Sequence, residues 1–444
     1  MNRVTCFALF LSLLASGAAA QKQPANKASS VSAYKLIGVK ATGTTRYTDK
    51  EILAASGLQN GQNVADGDFK EAVQRLGESG LFSNVVYSFS SSSAGTKLEL
   101  QLTDTDKSKL VPAHFENLVW FTDDELRASL QSRVPLFKQL LPIAGNLPDR
   151  VSEALQSLLS EGHFPGRVDY RRNADLSTGT LNAIDYRVEE LNIRIRSVEF
   201  PGASPEQAPL LVAAAHRLIG AEYGRSSLAA VAKLDLLPVY LQRGYLKAEF
   251  GPSEARVVPQ PPSGADAQDV AVVLVDAIVS VTPGKAYSTS GIDWKGNSAV
   301  TTAELAPLVH LPTGQPADAV RLLRDIENVG KLYRSRGYMM VQIKQDAQLD
   351  FDKSTVRYTL NVVEGDVYKM GELEISGLDT QATARMRAAW TLREGQTYNA
   401  DYLKKFLADT EQLLPRGVHW ALSIHETPDA KDKTVDVEIH FKQQ

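Results

Sequence analysis

Cysteine is almost missing from this chain: the only one, Cys6, lies inside the first twenty residues. Those twenty read as a secretory leader. Arg3 supplies a positive start, Val4 to Ala15 is mostly apolar, and Ala18-Ala19-Ala20 offers a small-residue cleavage site before Gln21. Removing the leader leaves no thiol, which excludes disulfides, thiolate metal sites and a cysteine nucleophile and suits an oxidising space outside the cytoplasm. A lipid anchor is not expected either, because it needs a cysteine at the cleavage point. Long apolar runs are equally scarce. The apolar stretch of the leader is too short to span a bilayer, and nothing after it approaches about 18 consecutive uncharged apolar residues, so no membrane-spanning helix is expected. Charge of one sign is lacking too: 48 Lys and Arg stand against 52 Asp and Glu, a formal net charge of −4, and no nucleic-acid partner is suggested.

Catalytic patterns are also absent. The seven histidines form no H-E-x-x-H pair, no G-x-S-x-G surrounds a serine, and no G-x-x-x-x-G-K-[ST] loop occurs. His419 and His425 share strand parity but read as surface residues. Asp123-Asp124 falls in the first turn of a predicted helix, where carboxylates suit the positive end of the dipole. We therefore expect no enzyme, no cofactor and no metal; a hydrolase with an unrecognised site is the alternative.

What is present is a repeat. After a polar leader to the first domain, residues 21–33, a glycine recurs at Gly80, Gly162, Gly244, Gly337 and Gly417, spaced 80 to 93 residues apart. Each follows a stripe of helical period, such as Val151, Leu155, Leu158 and Leu159 or Leu322, Ile326, Val329 and Tyr333, and reads as a left-handed helix cap. A second glycine precedes each stripe, at Gly61, Gly145, Gly220, Gly314 and Gly395, and marks a tight link from a shorter helix. Capping boxes open that shorter helix in four units: Thr48 with Glu51, Thr122 with Glu125, Ser204 with Gln207, Thr301 with Glu304. Around Asp379 the fifth must start another way. In the third unit Pro238 interrupts the stripe and should end or kink the helix.

A short strand precedes each capping box: Leu36 to Gly43, His114 to Leu118, Ile195 to Gly202, Ile292 to Gly296 and Leu373 to Gly377. Two more follow each cap, the last alternating in Leu98-Leu100-Leu102, Val356-Tyr358-Leu360-Val362 and Val435-Val437-Ile439-Phe441, while Val270 to Val275 is nearly continuous and apolar, as if covered on both faces. Aromatics just after the caps, Phe82, Phe164, Tyr245 and Tyr338, read as core residues. The low-complexity stretch Pro259 to Ala267 reads as a hairpin extension. The fold class is therefore α+β: a tandem array of five βααββ modules, each a three-stranded sheet covered by two helices, at 34–105, 106–190, 191–282, 283–365 and 366–444.

The V-x-x-G-x-x-Y spacing of 281–287 and 362–368, the phrase Val-Val-Glu-Gly-Asp-Val-Tyr-Lys-Met-Gly-Glu-Leu-Glu-Ile-Ser-Gly at 362–377, and the repeated Arg-Gly-Tyr resemble POTRA domains. These domains form the arm of the BamA and TamA family of outer-membrane assembly factors. The resemblance implies a periplasmic location and strand addition at a sheet edge, with outer-membrane protein precursors or a separate barrel protein as partners. Carried over by position, the implied edge residues are Val85, Tyr87 and Phe89; Val168 and Tyr170; Leu246, Ala248 and Phe250; Met339, Val341 and Ile343; Leu422 and Ile424. The sequence closes at Gln444 on a strand of the fifth module, so no C-terminal barrel is expected, and membrane association would run through partners.

Overall fold

A computed structural model describes residues 34–259, 272–415 and 418–443; the leader, the polar residues up to 33, most of the 259–267 extension and Gly417 lie outside them. The described residues form five sheets with one shared plan. In each, the third strand is central, parallel to the first and antiparallel to the second: Gly95–Asp104 lies between Tyr34–Thr42 and Phe82–Ser92, and Leu181–Glu189 between Leu110–Phe115 and Arg167–Ala174. Val272–Thr282 lies between Asn192–Glu199 and Glu249–Val257, Thr355–Val363 between Ser288–Lys295 and Gln342–Asp350, and Thr434–Gln443 between Lys369–Ser376 and Trp420–Asp429. We call these the central, leading and edge strands of modules 1 to 5. Two compact units divide the chain, one of Met1–Val111 with Gln131–Val151 and one of Pro112–Leu130 with Ser152–Gln444. Among the described residues no helix is long and apolar enough to cross a membrane.

Sheet alternation decides which face the helices cover. Leu98, Leu100 and Leu102, Val356, Tyr358 and Leu360, and Val435, Val437, Ile439 and Phe441 are all buried; the second set packs with Leu322 and the third with Phe406, while Val362 packs with Val329 and Tyr333. Burying each such side chain contributes roughly 1.5–3 kcal/mol. The opposite face is polar: Lys97, Glu99 and Gln101, or Glu438, His440 and Lys442, point to water. Module 3 departs, since Leu274 and Ile278 are half-buried on that face and Asp276 is buried under the Arg196 guanidinium, 2.8 and 2.6 Å from its carboxylate oxygens. Val270 and Ala271 fall outside the described residues.

The four capping boxes form as expected, and the fifth short helix starts on Asp379, whose carboxylate accepts the Ala382 N–H at 2.8 Å. The cap glycines Gly80, Gly244 and Gly337 are left-handed, with φ of 79, 80 and 89°. Gly162 is not; His163 takes the left-handed place at φ 53°. A Cβ on Gly162 would meet the Phe164 ring, which stacks on Trp120 at 4.9 Å, so this glycine leaves room for an aromatic. The long helix of module 3 does not end at Pro238. It runs Arg225–Val231, widens to a π turn over Ala232–Leu236, and continues as Leu237–Leu241. The wide turn opens the hydrogen-bond ladder just ahead of the residue that cannot donate to it. The leading strand of module 2 begins four residues earlier than expected, at Leu110, and ends at Phe115.

The V-x-x-G-x-x-Y tyrosines join neighbours. Tyr287 donates its N–H to the Gly244 carbonyl and Tyr368 to that of Gly337, both at 2.8 Å, while their rings are buried in the core of the following module. One residue thus belongs to a core and a joint.

The glycines that close the leading strands have a separate reason. A Cβ on Gly43, Gly202, Gly296 or Gly377 would overlap the carbonyl of Leu102, Val281, Val362 or Phe441 on the central strand. Gly314 has a similar φ, +82°, but open space around it. Gly314→Ala should therefore cost only the left-handed penalty, about 1–2 kcal/mol, and Gly296→Ala clearly more. Urea unfolding of the two variants measures the difference; equal losses would remove the close-approach argument.

Candidate functional site

A three-stranded sheet has two edges whose backbone groups need partners. One of them is partly closed in the same way in four modules. In module 1 the Gly61 N–H donates to the Leu36 carbonyl at 2.7 Å and the Leu36 N–H to that of Gln62 at 2.8 Å. In module 3 Gly220 and Ala221 bind Ile195, in module 4 Gly314 and Gln315 bind Thr289, and in module 5 Gly395 and Gln396 bind Met370, all between 2.8 and 3.0 Å. In these four modules the link between the two helices lies along the start of the leading strand and takes both backbone groups of one residue there. The link glycines make this possible, because φ of 79 to 90° turns the chain back at a cost other residues would bear.

The other edge is the second strand. Along an antiparallel pair the N–H and C=O of a residue point to one side and alternate. The Thr42 hydroxyl on the leading strand donates to the Leu100 carbonyl at 3.4 Å, and the Leu102 carbonyl lies against Gly43, so Tyr87, paired with Leu100, turns its backbone groups outward. The same reasoning holds where Asn117 binds both backbone groups of Val188, opposite Val168, and where Val281 donates to Pro201, opposite Phe250. It holds again where Gly296 overlies Val362, opposite Ile343, and Gly377 overlies Phe441, opposite Leu422. With the period of two, Val85, Tyr87, Phe89, Val168, Tyr170, Phe250, Ile343, Leu422 and Ile424 all present their backbone outward. Four expected residues do not belong to this set. Leu246 and Ala248, and Met339 and Val341, precede their strands, and their N–H groups close the turn after the cap by bonding to Gly244, Tyr245, Gly337 and Tyr338.

The five edges are not equal. In module 2 the Val168 N–H donates to Oε1 of Gln156 and the Tyr170 N–H to Oδ1 of Asp169, both at 2.8 Å, so side chains already occupy it. Module 3 has a register shift between Phe250 and Ser253, with Pro252 inside it. In module 5 Pro428 stands at an outward position, and Glu426 accepts the Tyr398 hydroxyl; burial and that carboxylate push the phenol well above its usual range. Module 4 pairs without a break from Gln342 to Asp350, and module 1 from Asn84 to Ser92. In module 1 the Tyr87 hydroxyl donates to Asp66 at 2.6 Å, and Lys70, then Tyr87, hold that carboxyl below its ordinary range. Neither Gln156 nor Asp169 carries a motif that sequence reading could have caught.

Elsewhere His114, Glu116 and Asp185 bring one ligand atom each within 4.8 Å of one another. Asp185 lies 71 residues from His114, so no local spacing announces the group. Its members are already engaged: His114 with Asp185 at 3.0 Å, and the Glu116 carboxylate with the Ser226 N–H, also at 3.0 Å.

Residues 287–365 match the POTRA family, described as a surface antigen variable number repeat. Among solved structures, POTRA3-5 of Haemophilus influenzae BamA is similar at 17% identity, covering 57% of this chain and 96% of that one with a TM-score of 0.41. The N-terminal domain of Omp85 from Thermosynechococcus elongatus is similar at 17% identity, over 56% of this chain and 97% of that one, with a TM-score of 0.23. CdiB from Escherichia coli matches 50% of this chain and 36% of its own at 17% identity and a TM-score of 0.21. The chain is a tandem array of small α+β modules, and residues 287–365 match the POTRA family.

Proposed function

We propose that this protein is a non-catalytic periplasmic scaffold in outer-membrane protein assembly or secretion. It holds extended segments of precursors, or of a separate barrel protein, by strand addition to its second-strand edges. The modules are those of 34–105, 106–190, 191–282, 283–365 and 366–444, and the leader of residues 1–20 directs export. The family match at 287–365 supports the setting. One observation carries the mechanism: the second strand of each sheet turns the backbone groups of alternate residues outward, while in four modules the helix link occupies the start of the opposite edge.

Photocrosslinkers at Ile343 and Ile424 should capture outer-membrane precursors or a barrel protein in cells, whereas one at Gln396, in the link bonded to the leading strand of module 5, should capture far less. Absence of adducts from all five edges would remove strand addition. Module 2 offers a second check. Gln156→Ala releases the Val168 N–H from a bond worth about 0.5–1.5 kcal/mol net, so its hydrogen exchange should speed up by as much as about tenfold, with Ile343 unchanged. An unchanged rate at Val168 would mean that Gln156 does not guard this edge.

A further inference from the structure

The edge strand of module 1 differs from the other four in carrying no charge. Residues 82–92 read Phe-Ser-Asn-Val-Val-Tyr-Ser-Phe-Ser-Ser-Ser. The others hold Arg167, Asp169, Arg171 and Arg172; Glu249, Glu254 and Arg256; Lys344, Asp346 and Asp350; or Glu426 and Asp429. Charge, proline, bulges and side-chain caps are the devices that keep an open edge from recruiting strands. From Asn84 to Ser92 this strand has none of them, and its pairing is unbroken.

The side chains at this edge specify a ligand. On the helix face Phe69 of the long helix lies 5.2 Å from Phe89 and 6.1 Å from Tyr87, centroid to centroid, and Phe89 is still 47% exposed. On the other face stand Val86, 48% exposed, and the hydroxyls of Ser88 and Ser90. A strand laid along the Val85, Tyr87 and Phe89 backbone would put every second side chain against the aromatic ledge and the rest beside Val86, Ser88 and Ser90. Aromatic or branched side chains suit the first set, since Phe89 has apolar area left to cover. Small uncharged polar ones suit the second. A charge there would find no counter-ion on the edge strand itself, the nearest being Glu99 and Lys97 one strand further in, unlike at the Arg-rich edge of module 2.

We infer that the module 1 edge is the receiving strand for uncharged segments that alternate aromatic or β-branched residues with serine or threonine. This rests on the strand-addition reading above and adds the place and the chemistry of the segment. Selection follows from charge alone: a segment with lysine or glutamate at the outward positions is directed to the charged edges or rejected.

The test uses the full mature chain and a fluorescent, acetylated and amidated nonapeptide of alternating aromatic or β-branched residues and Ser or Thr, against a counterpart with Lys at the polar positions. The neutral peptide should give saturable anisotropy, and the Lys peptide at least tenfold weaker binding. Phe89→Ser should weaken the neutral peptide at least fivefold, while Ile343→Ser leaves it unchanged. Ser88→Lys, which touches no core residue, should weaken it similarly and restore binding of a peptide carrying Glu, which guards against misfolding of Phe89→Ser. Binding lost with Ile343→Ser but kept with Phe89→Ser overturns module 1 as the receiver and leaves strand addition standing. No saturable binding overturns this inference, and the crosslinks at Ile343 and Ile424 then decide separately whether strand addition occurs. If sedimentation shows a dimer that Phe89→Ser dissolves, the occupant is a second copy and the client reading of this edge falls.

Discussion

The hydrogen bonds from the helix link to the leading strand govern how this molecule can interact. Without them each three-stranded sheet would offer two open edges, and a tandem array would invite pairing from either side. With Gly61, Gly220, Gly314 and Gly395 donating to Leu36, Ile195, Thr289 and Met370, the start of the leading edge is taken internally and the two edges of the sheet are no longer equivalent. The left-handed glycine makes the link compact enough to lie along a strand. The same link delivers the long helix onto the sheet, so taking the start of that edge and covering the core are a single structural event.

The second constraint is shared residues at the joints. Tyr287 and Tyr368 each fill a core and bind the cap glycine of the preceding module. A substitution there loosens packing within one module and the attachment to the one before it. Between modules 2 and 3 the Arg225 N–H donates to the Glu116 carbonyl at 3.0 Å, and the Glu116 carboxylate on the Ser226 N–H and Arg225 on Asp123 add charged contacts to that backbone bond.

Much of this was legible in the residues because its causes are local. A capping box spans three residues, a link glycine announces its own φ, and Leu98-Leu100-Leu102 declares its buried face. What was not legible depends on groups distant in sequence or on one crowded ring. Gly162 looks like the other cap glycines, yet it serves the Phe164 ring and hands the left-handed turn to His163. Pro238 reads as a break, but a π turn absorbs it. Met339 and Val341 fall on the edge strand when the POTRA resemblance is carried over by position, yet their amides are claimed by the turn after Gly337. The caps on Val168 and Tyr170 come from ordinary polar residues with no signature.

These caps turn five equivalent edges into a graded series. Module 2 has lost two outward amides to its own side chains, modules 3 and 5 carry prolines, module 4 carries charge, and module 1 carries no such device from Asn84 on. An unprotected edge with an exposed Phe89 is an aggregation hazard. A chain that guards four edges by different means has the chemistry to guard the fifth, since one lysine in place of Ser88 or Ser90 would suffice. The bare strand in module 1 is therefore better explained by use than by neglect: an edge that must accept a neutral strand cannot also carry the charge that would repel one.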